Sequence, residues 1–271
     1  MGKNTDDFDK DLNPVLEVAT NEELGFLVDL MTGTWTNFLD IEEAYKKHAP
    51  KHTEYADLIA AHVRRFGGNS FVNIGRGLFK SGEAPFVGPK YQEIVYDVAN
   101  HFKVNFNKNQ PVDIVEDAIF AKVITDTLDK MSDDQKREFL DSIGIINLTG
   151  SGPALTSAVI AVFRAGGFKS YQLVAVVINA VLKALIGRGL PFAAAPILMK
   201  SLKFLTGPVG WAITGIWGLA DAASAAKRIT VPAVLYVGML RKKYNTPICP
   251  ECQAQISPAV KFCPECGTRI G

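Results

Sequence analysis

Residues 249–267 read CPECQAQISPAVKFCPECG, and this stretch decides the fold of the C-terminal part of the chain. It contains Cys249, Cys252, Cys263 and Cys266, which are all the cysteines in 271 residues. Each Cys-x-x-Cys pair can place two thiolates around a tetrahedral ion, and two pairs make a closed site with no open position for catalysis. Gly267 suits a turn with positive φ after the second pair. We therefore predict a zinc ribbon with a structural Zn²⁺.

Two other interpretations of the four cysteines stay open at this point. They could hold iron in the same geometry, or form two thiol–disulfide redox pairs, although repetition of the motif disfavours the redox interpretation. Nucleic acid is a poor candidate partner, because the ribbon is electrically neutral, with Lys261 and Arg269 as its bases and Phe262 as its aromatic residue. Protein contact or a passive end-piece is the favoured role.

The position of the cysteines also predicts the compartment. All four lie in the final 23 residues, which is not the distribution of a disulfide-stapled secreted protein. No apolar stretch follows the charges of the N-terminus, so we predict no signal peptide. We expect a cytoplasmic protein, either free or peripheral to a membrane.

Charge divides the chain that precedes the ribbon. Residues 1–148 carry 25 acidic and 16 basic residues, a balance of −9, whereas residues 149–246 carry one acid and eleven bases, a balance of +10. Such asymmetry indicates that the basic part meets an anionic surface, or that the two parts attract each other. We predict three domains: an acidic helical domain over 1–148, a basic, apolar helical segment over 149–243, and the zinc ribbon over 244–271.

Helix signals recur before the ribbon and predict a mainly α fold. Thr20 with Glu23 is a capping box that opens a helix over Asn21–Met31, and Gly33 suits its end. Ser132 with Gln135 opens a second run, which Gly144 closes near residue 143. Apolar residues at three- and four-residue spacing predict further helices at 112–124 and at 91–102. Gly67–Pro89, rich in glycine, predicts a loop.

The basic segment has apolar runs that could belong to a helical core or to a membrane. They cover Ser170–Leu182, Gly189–Met199, Phe204–Ala220 and Ile229–Leu240. Phe204–Ala220 is near the minimum length for a bilayer span. Ser142–Phe163 is long enough to span, but its polar residues predict a linker over much of it. Both a water-soluble or membrane-surface domain and an inserting one stay open.

Dispersed bases favour an anionic membrane surface as a partner. Residues 241–246 predict a polar linker into the ribbon. The candidate membrane or anionic-surface contacts are Lys183, Arg188, Lys200, Lys203, Arg241, Lys242 and Lys243.

The sequence offers no convincing catalytic residues. His48 and His52 are four residues apart, but Pro50 between them prevents a shared helical face. His62 and His101 stand alone and are typical of surface or hydrogen-bonded core residues. Gly150–Ser157 resembles a phosphate loop but lacks its Gly-Lys-Ser/Thr. We therefore predict a protein that is not an enzyme.

Two stretches carry a family resemblance. Phe66–Gly77 (FGGNSFVNIGRG), followed by Tyr91–Val98, is similar to the central motif of the bacterial YaaW-like proteins, which are grouped with the ubiquinol–cytochrome c chaperone domain. Arg228–Leu235, with Gly207–Gly210 upstream, and the acidic start at Leu12–Thr32 are similar to the same family. The resemblance covers about residues 10–243, and the ribbon is an addition to it.

The resemblance implies a function without catalytic residues. It implies the sensing half of a two-gene defence against phages, which acts at a membrane together with a membrane-disrupting protein encoded nearby. We therefore expect a non-enzymatic sensor or adaptor in antiviral defence that associates with a membrane and recruits a protein partner. The alternative is a chaperone or assembly factor for a membrane or respiratory protein.

Overall fold

The computed structural model describes residues 8–32, 39–67, 88–146, 148–190, 227–256 and 260–270. Within these ranges the chain forms ten α-helices and one 3₁₀ helix, and β pairing is limited to two isolated bridges in the ribbon. The predicted mainly α fold is confirmed. The helices are α1 (Asn13–Glu17), α2 (Asn21–Thr32), α3 (Glu43–His48), the 3₁₀ helix His52–Tyr55, α4 (Ala56–Gly67), α5 (Tyr91–His101), α6 (Val112–Leu128), α7 (Asp133–Ser142), α8 (Gly152–Arg164), α9 (Gly167–Ile186) and α10 (Lys227–Tyr244).

The chain folds into two compact units. Unit 1 comprises Met1–Ile119 and Asp221–Gly238, and unit 2 comprises Phe120–Ala220 and Met239–Gly271. The boundaries between the units fall within α6 and α10. The three-domain division that the charge distribution predicted describes composition, and it stays a prediction.

Both predicted capping boxes are present at the atomic level. The Glu23 carboxylate accepts a hydrogen bond from the Thr20 N–H at 2.7 Å, and the Thr20 hydroxyl oxygen accepts one from the Glu23 N–H at 3.3 Å. Ser132 and Gln135 make the same reciprocal pair at the start of α7. Gly144 then follows α7 with φ of +68°, a conformation that glycine adopts without steric cost. Gly33 lies outside the described residues.

A buried polar network holds the helices of unit 1 together. Asp9 and Arg64 are both at least 94% buried, and the Arg64 Nε lies 3.6 Å from the Asp9 carboxylate. The same carboxylate accepts a hydrogen bond from the Tyr91 N–H at 2.8 Å, and the Tyr91 hydroxyl donates to Glu116 at 2.8 Å. Arg64 also donates to the carbonyl of Pro89 at 2.9 Å. These bonds connect the N-terminal segment to α4, α5 and α6, and they satisfy charges that burial would otherwise make costly.

The first part of α10 packs on α2 within unit 1. The Tyr236 ring lies 4.2 Å from the Phe26 ring, centroid to centroid, and its hydroxyl donates a hydrogen bond to the Glu23 carbonyl at 3.0 Å. Tyr236 is fully buried, so its polar end needs this partner. The contact joins residues that are 213 positions apart in the chain.

The most apolar helix of unit 2 is α9. It is long and apolar enough to cross a membrane by length and composition, and it meets that test alone among the described helices. In the structure 67% of its most apolar window is buried, and every residue from Gln172 to Leu182 is buried. Burial of this kind is typical of a core helix, which passes the same composition test. Most of Gly189–Met199 and all of Phe204–Ala220 lie outside the described residues.

Two linker predictions are wrong in part. The polar linker predicted for much of residues 142–163 agrees with the described residues between Ser142 and Gly152, which are not helical. From Gly152 onward the chain is instead helix α8, because Pro153 suits the first turn of a helix and Thr156 donates a hydrogen bond to Asp129 at 3.3 Å. Residues 241–246 were also expected to be a linker, but α10 continues to Tyr244. The basic side chains of its last turn favour the negative end of the helix dipole, and the Thr246 hydroxyl donates to the Lys242 carbonyl at 2.7 Å.

Candidate metal centre

The four cysteine sulfurs of unit 2 meet in one place. All four Sγ atoms lie within 4.8 Å of one another. The Cys249 and Cys266 sulfurs are 3.6 Å apart, and so are those of Cys252 and Cys263. A tetrahedral ion with Zn–S bonds of about 2.3 Å requires sulfur separations of roughly 3.8 Å. The donor set and its spacing therefore fit a four-thiolate metal site, as the sequence predicted.

Each Cys-x-x-Cys pair lies on its own tight hairpin, and the two hairpins have the same backbone hydrogen bonds. In the first knuckle (residues 247–256), the Cys249 N–H donates to the Ala254 carbonyl at 2.8 Å and the Gln253 N–H donates to the Cys249 carbonyl at 3.0 Å. The second knuckle (residues 261–270) repeats both bonds 14 residues later, from Cys263 to Thr268 at 2.7 Å and from Gly267 to Cys263 at 2.9 Å. The two knuckles are thus two copies of one backbone structure.

A left-handed residue follows each cysteine pair. Gly267 has φ of +75°, as its position in the sequence predicted, and Gln253 occupies the equivalent position with φ of +60°. A side chain makes this conformation costly, so the first knuckle carries strain that the second avoids. The turn at Gln253, in the first knuckle, is therefore strained, because a residue with a side chain occupies a backbone conformation that favours glycine.

The ribbon has a very small apolar core. Cys249, Cys263 and Ile256 are buried, and Val260 and Ile270 pack against them. The other two cysteines, Cys252 and Cys266, are exposed. Five residues bury too little apolar surface to fold a segment of this size, so bound metal must supply much of its folding free energy.

Hydrogen bonds set the proton affinity of the exposed sulfurs. The side chain and backbone of Thr268 hydrogen-bond to Cys266 and lower the pKa of its thiol to about 6. The Ala254 N–H lowers the pKa of Cys252, but the neighbouring thiols outweigh it and raise that pKa to about 12. Metal binds the thiolate rather than the thiol, so its binding at this site should strengthen as pH rises.

The predicted anionic-surface residues that the structure describes lie in unit 2. Lys183 is exposed in the last turn of α9, and Arg188 follows that helix half-buried. Arg241, Lys242 and Lys243 form the last turn of α10, all half-buried. The Lys242 ammonium lies 4.8 Å from the centre of the Phe163 ring, so its stem packs on α8. Lys200 and Lys203 lie outside the described residues.

The histidines occupy separate structural positions. His48 ends α3 and His52 begins the 3₁₀ helix, so they share no helical face. The His52 Nδ1 lies 2.5 Å from the Tyr55 hydroxyl, and burial raises the pKa of Tyr55 to about 12. His62 is buried, with its Nε2 3.2 Å from the Glu42 carboxylate and 3.0 Å from the Arg65 guanidinium. His101 is half-buried, with its Nδ1 3.3 Å from the Lys227 ammonium.

Sequence reasoning missed the buried network of Asp9, Arg64, Tyr91 and Glu116. Its members are scattered over more than 100 positions and form no local motif. One weak signal was available: charged residues interrupt two otherwise apolar helical faces, at Arg64 in α4 and at Glu116 in α6. Such a residue on a buried face requires a partner, although the sequence does not say which one.

Comparisons with known proteins match about three quarters of the chain. A family model described as a zinc-ribbon domain matches residues 248–270, and one described as ubiquinol-cytochrome C chaperone matches residues 52–234. A UPF0174 protein of Helicobacter pylori (strain J99 / ATCC 700824) is 40% identical over 200 residues, which are 73% of this chain and 76% of that relative. The chain belongs to the UPF0174 family.

Further relatives connect this UPF0174 chain to YaaW. A UPF0174 protein of Helicobacter pylori (strain ATCC 700392 / 26695) is 31% identical over 73% of this chain and 93% of its own length. The UPF0174 protein YaaW of Escherichia coli (strain K12) is 26% identical over 75% of this chain and 78% of its own. The predicted resemblance is therefore confirmed, and the ribbon lies outside the chaperone-domain match. No solved structure matches this UPF0174 chain.

Proposed function

We propose that this UPF0174 chain is a non-enzymatic adaptor that works at an anionic membrane surface, binds a protein partner and serves in antiviral defence. The observation that carries the membrane part of the proposal is the placement of bases in unit 2. Lys183 is exposed at the end of α9, and three consecutive bases end α10, in a stretch with eleven bases and one acid. Basic residues near a membrane gain roughly 1 kcal/mol each from anionic lipids.

A position on the surface suits this chain better than a span across the bilayer. Helix α9 is long and apolar enough to cross a membrane, but its residues from Leu173 to Leu182 are buried against the protein. Insertion would expose these side chains to lipid and would separate α9 from α8. We therefore assign lipid contact to the bases rather than to α9.

The metal centre has a structural role in this proposal, and we propose that its ion is Zn²⁺. Four thiolates complete a tetrahedral shell, so no position is left for a substrate or a water molecule. The ion would be held by Cys249, Cys252, Cys263 and Cys266, and it would stabilise the ribbon. A sensor or adaptor needs a rigid surface rather than a reactive metal.

Vesicle flotation tests the membrane part of the proposal. The purified full-length chain is mixed with phosphatidylcholine vesicles, with and without phosphatidylglycerol, and separated on a density gradient. We expect flotation with the anionic vesicles, and we expect salt to weaken it, since exposed charges are screened. No flotation with either vesicle would contradict the membrane role.

Gene deletion tests the antiviral part, which rests on the family resemblance. We expect loss of this gene, or of a neighbouring gene for a membrane-disrupting partner, to raise plaque counts for some phages. Complementation with the intact gene should restore protection. Unchanged plaque counts across a broad panel would contradict a role in defence.

A second function is favoured by one observation, the match of residues 52–234 to the ubiquinol-cytochrome C chaperone model. By that account the chain holds a membrane or respiratory protein during assembly. Affinity purification should then recover one stable complex with such a client, and phage sensitivity should not change on deletion. This pair of results separates the two functions.

A further inference from the structure

The two knuckles of the ribbon have the same backbone but different exposed side chains. Each has one antiparallel bridge, Ile248 with Gln255 and Phe262 with Arg269. Each closes with an equivalent hydrogen bond, from Ile256 to Pro247 at 2.8 Å and from Ile270 to Lys261 at 2.9 Å. The first knuckle has Pro247, Ile248 and Gln255 at positions where the second has Lys261, Phe262 and Arg269.

The second knuckle therefore exposes an aromatic ring together with two bases. Phe262 is 60% exposed, and Lys261, which precedes it, and Arg269, its partner in the bridge, are also exposed. The bridge places Phe262 directly across from Arg269. Metal binding does not demand these residue types, because the first knuckle makes the same bonds with an uncharged trio.

We propose that the second knuckle is the part of the ribbon that inserts into an anionic phospholipid surface. The Phe262 ring enters the boundary between headgroups and acyl chains, while Lys261 and Arg269 stay at the level of the phosphates. This inference rests on the proposed membrane function and assigns one contact of it. The thiolate site contributes rigidity, since a hairpin fixed by metal presents the ring without ordering a flexible loop.

The rest of unit 2 favours a lipid surface over a small acidic peptide. The ribbon begins two residues after α10, whose last turn carries Arg241, Lys242 and Lys243. The Gln255 side chain donates a hydrogen bond to the Lys243 carbonyl at 3.5 Å, so the ribbon and the basic helix end are neighbours. An extended anionic surface can engage both groups of bases, whereas a short peptide would engage one.

Flotation of the zinc-loaded full-length chain with phosphatidylglycerol-containing vesicles tests the inference. Phe262→Ala should weaken vesicle binding about tenfold or more, the loss expected when one buried aromatic ring is removed. The double variant K261Q/R269Q should weaken it by a similar factor. Ile248→Ala is the matched control, because it truncates the equivalent exposed side chain of the first knuckle, and it should change binding less than about twofold.

The outcomes separate this inference from the function on which it rests. If the wild type floats and Phe262→Ala and K261Q/R269Q float equally well, the membrane function stands and the inference is wrong. An equal loss of vesicle binding in Ile248→Ala also overturns the inference. Failure of the wild type to float contradicts both the inference and the membrane function. Retention on poly-glutamate or on DNA without flotation would assign the knuckle to an acidic peptide or a nucleic acid. Zinc content, measured for every variant, shows that the ribbon is folded.

Discussion

At the scale of single residues, the left-handed position after each cysteine pair gives a matched test. Gln253 has φ of +60°, and Gly267 has φ of +75° with no atom within 4 Å of an added Cβ. We expect Gln253→Gly to relieve about 1 kcal/mol of backbone strain and Gly267→Ala to add a similar amount. Zinc affinity should then rise roughly fivefold in Gln253→Gly and fall roughly fivefold in Gly267→Ala. Competition with a chromophoric chelator measures both, and a change of the same sign in the two variants would contradict the strain argument.

The buried His62 side chain predicts that the stability of unit 1 depends on pH. Burial, and then the nearby Arg65 charge, lower the pKa of His62 below the usual value of 6.5. The unfolded chain therefore binds this proton more readily than the folded chain, so His62 contributes stability above pH 6.5 that is lost as pH falls below it. The melting temperature should drop on acidification, and His62→Gln should flatten the curve between about pH 5 and 7. His101→Gln, which changes a half-buried histidine outside the contact of His62 with Glu42 and Arg65, should not flatten the curve, and an unflattened curve for His62→Gln would refute the assignment.

At the scale of elements, helix α7 depends on its capping box. The Ser132 hydroxyl oxygen accepts from the Gln135 N–H at 3.3 Å, while the Gln135 side chain accepts from the Ser132 N–H at 2.8 Å. Ser132→Ala should destabilise this part of unit 2 by about 1 kcal/mol, since the Gln135 N–H loses its side-chain acceptor at the start of the helix. Ser132→Asp keeps an acceptor and should cost much less. The rates of amide hydrogen exchange along α7 measure the difference. Equal rates in Ser132→Ala and Ser132→Asp would show that the capping box is not needed.

At the scale of the whole molecule, metal removal should affect the ribbon and leave the helices. The ribbon core is formed by Cys249, Ile256 and Cys263 with two partly buried neighbours, whereas α2, α5, α6 and α9 each bury several large apolar side chains. We expect a chelator to release one zinc ion per chain and to abolish the protection of ribbon amides, with most of the helical circular dichroism retained. Cys263→Ser should reproduce the effect without chelator. Loss of the helical signal would mean that the ribbon also supports the helical body.

Local sequence rules predicted those parts of the fold whose causes lie within a few residues. The capping boxes at Thr20 and Ser132, the end of α7 at Gly144 and the ligand set of the metal centre follow from hydrogen-bonding groups and ligands at fixed short spacing. Polarity alone was a poor guide at residues 142–163 and 241–246. Pro153 suits a helix start, and bases suit a helix end, so polar composition there did not mean a linker.

The order of residues along the chain is enough to predict a mainly helical protein, a metal-binding ribbon built on four cysteines and a relationship to YaaW. Only the folded chain shows that Asp9, Arg64, Tyr91 and Glu116 share one buried network, that Tyr236 reaches Glu23, and that Phe262 is exposed opposite Arg269. The residues that form a helix cap or a pair of metal ligands lie a few positions apart, so these features can be recognised in the sequence. Buried polar partners are chosen by packing, because only the folded chain brings distant groups within hydrogen-bonding distance and excludes water from them.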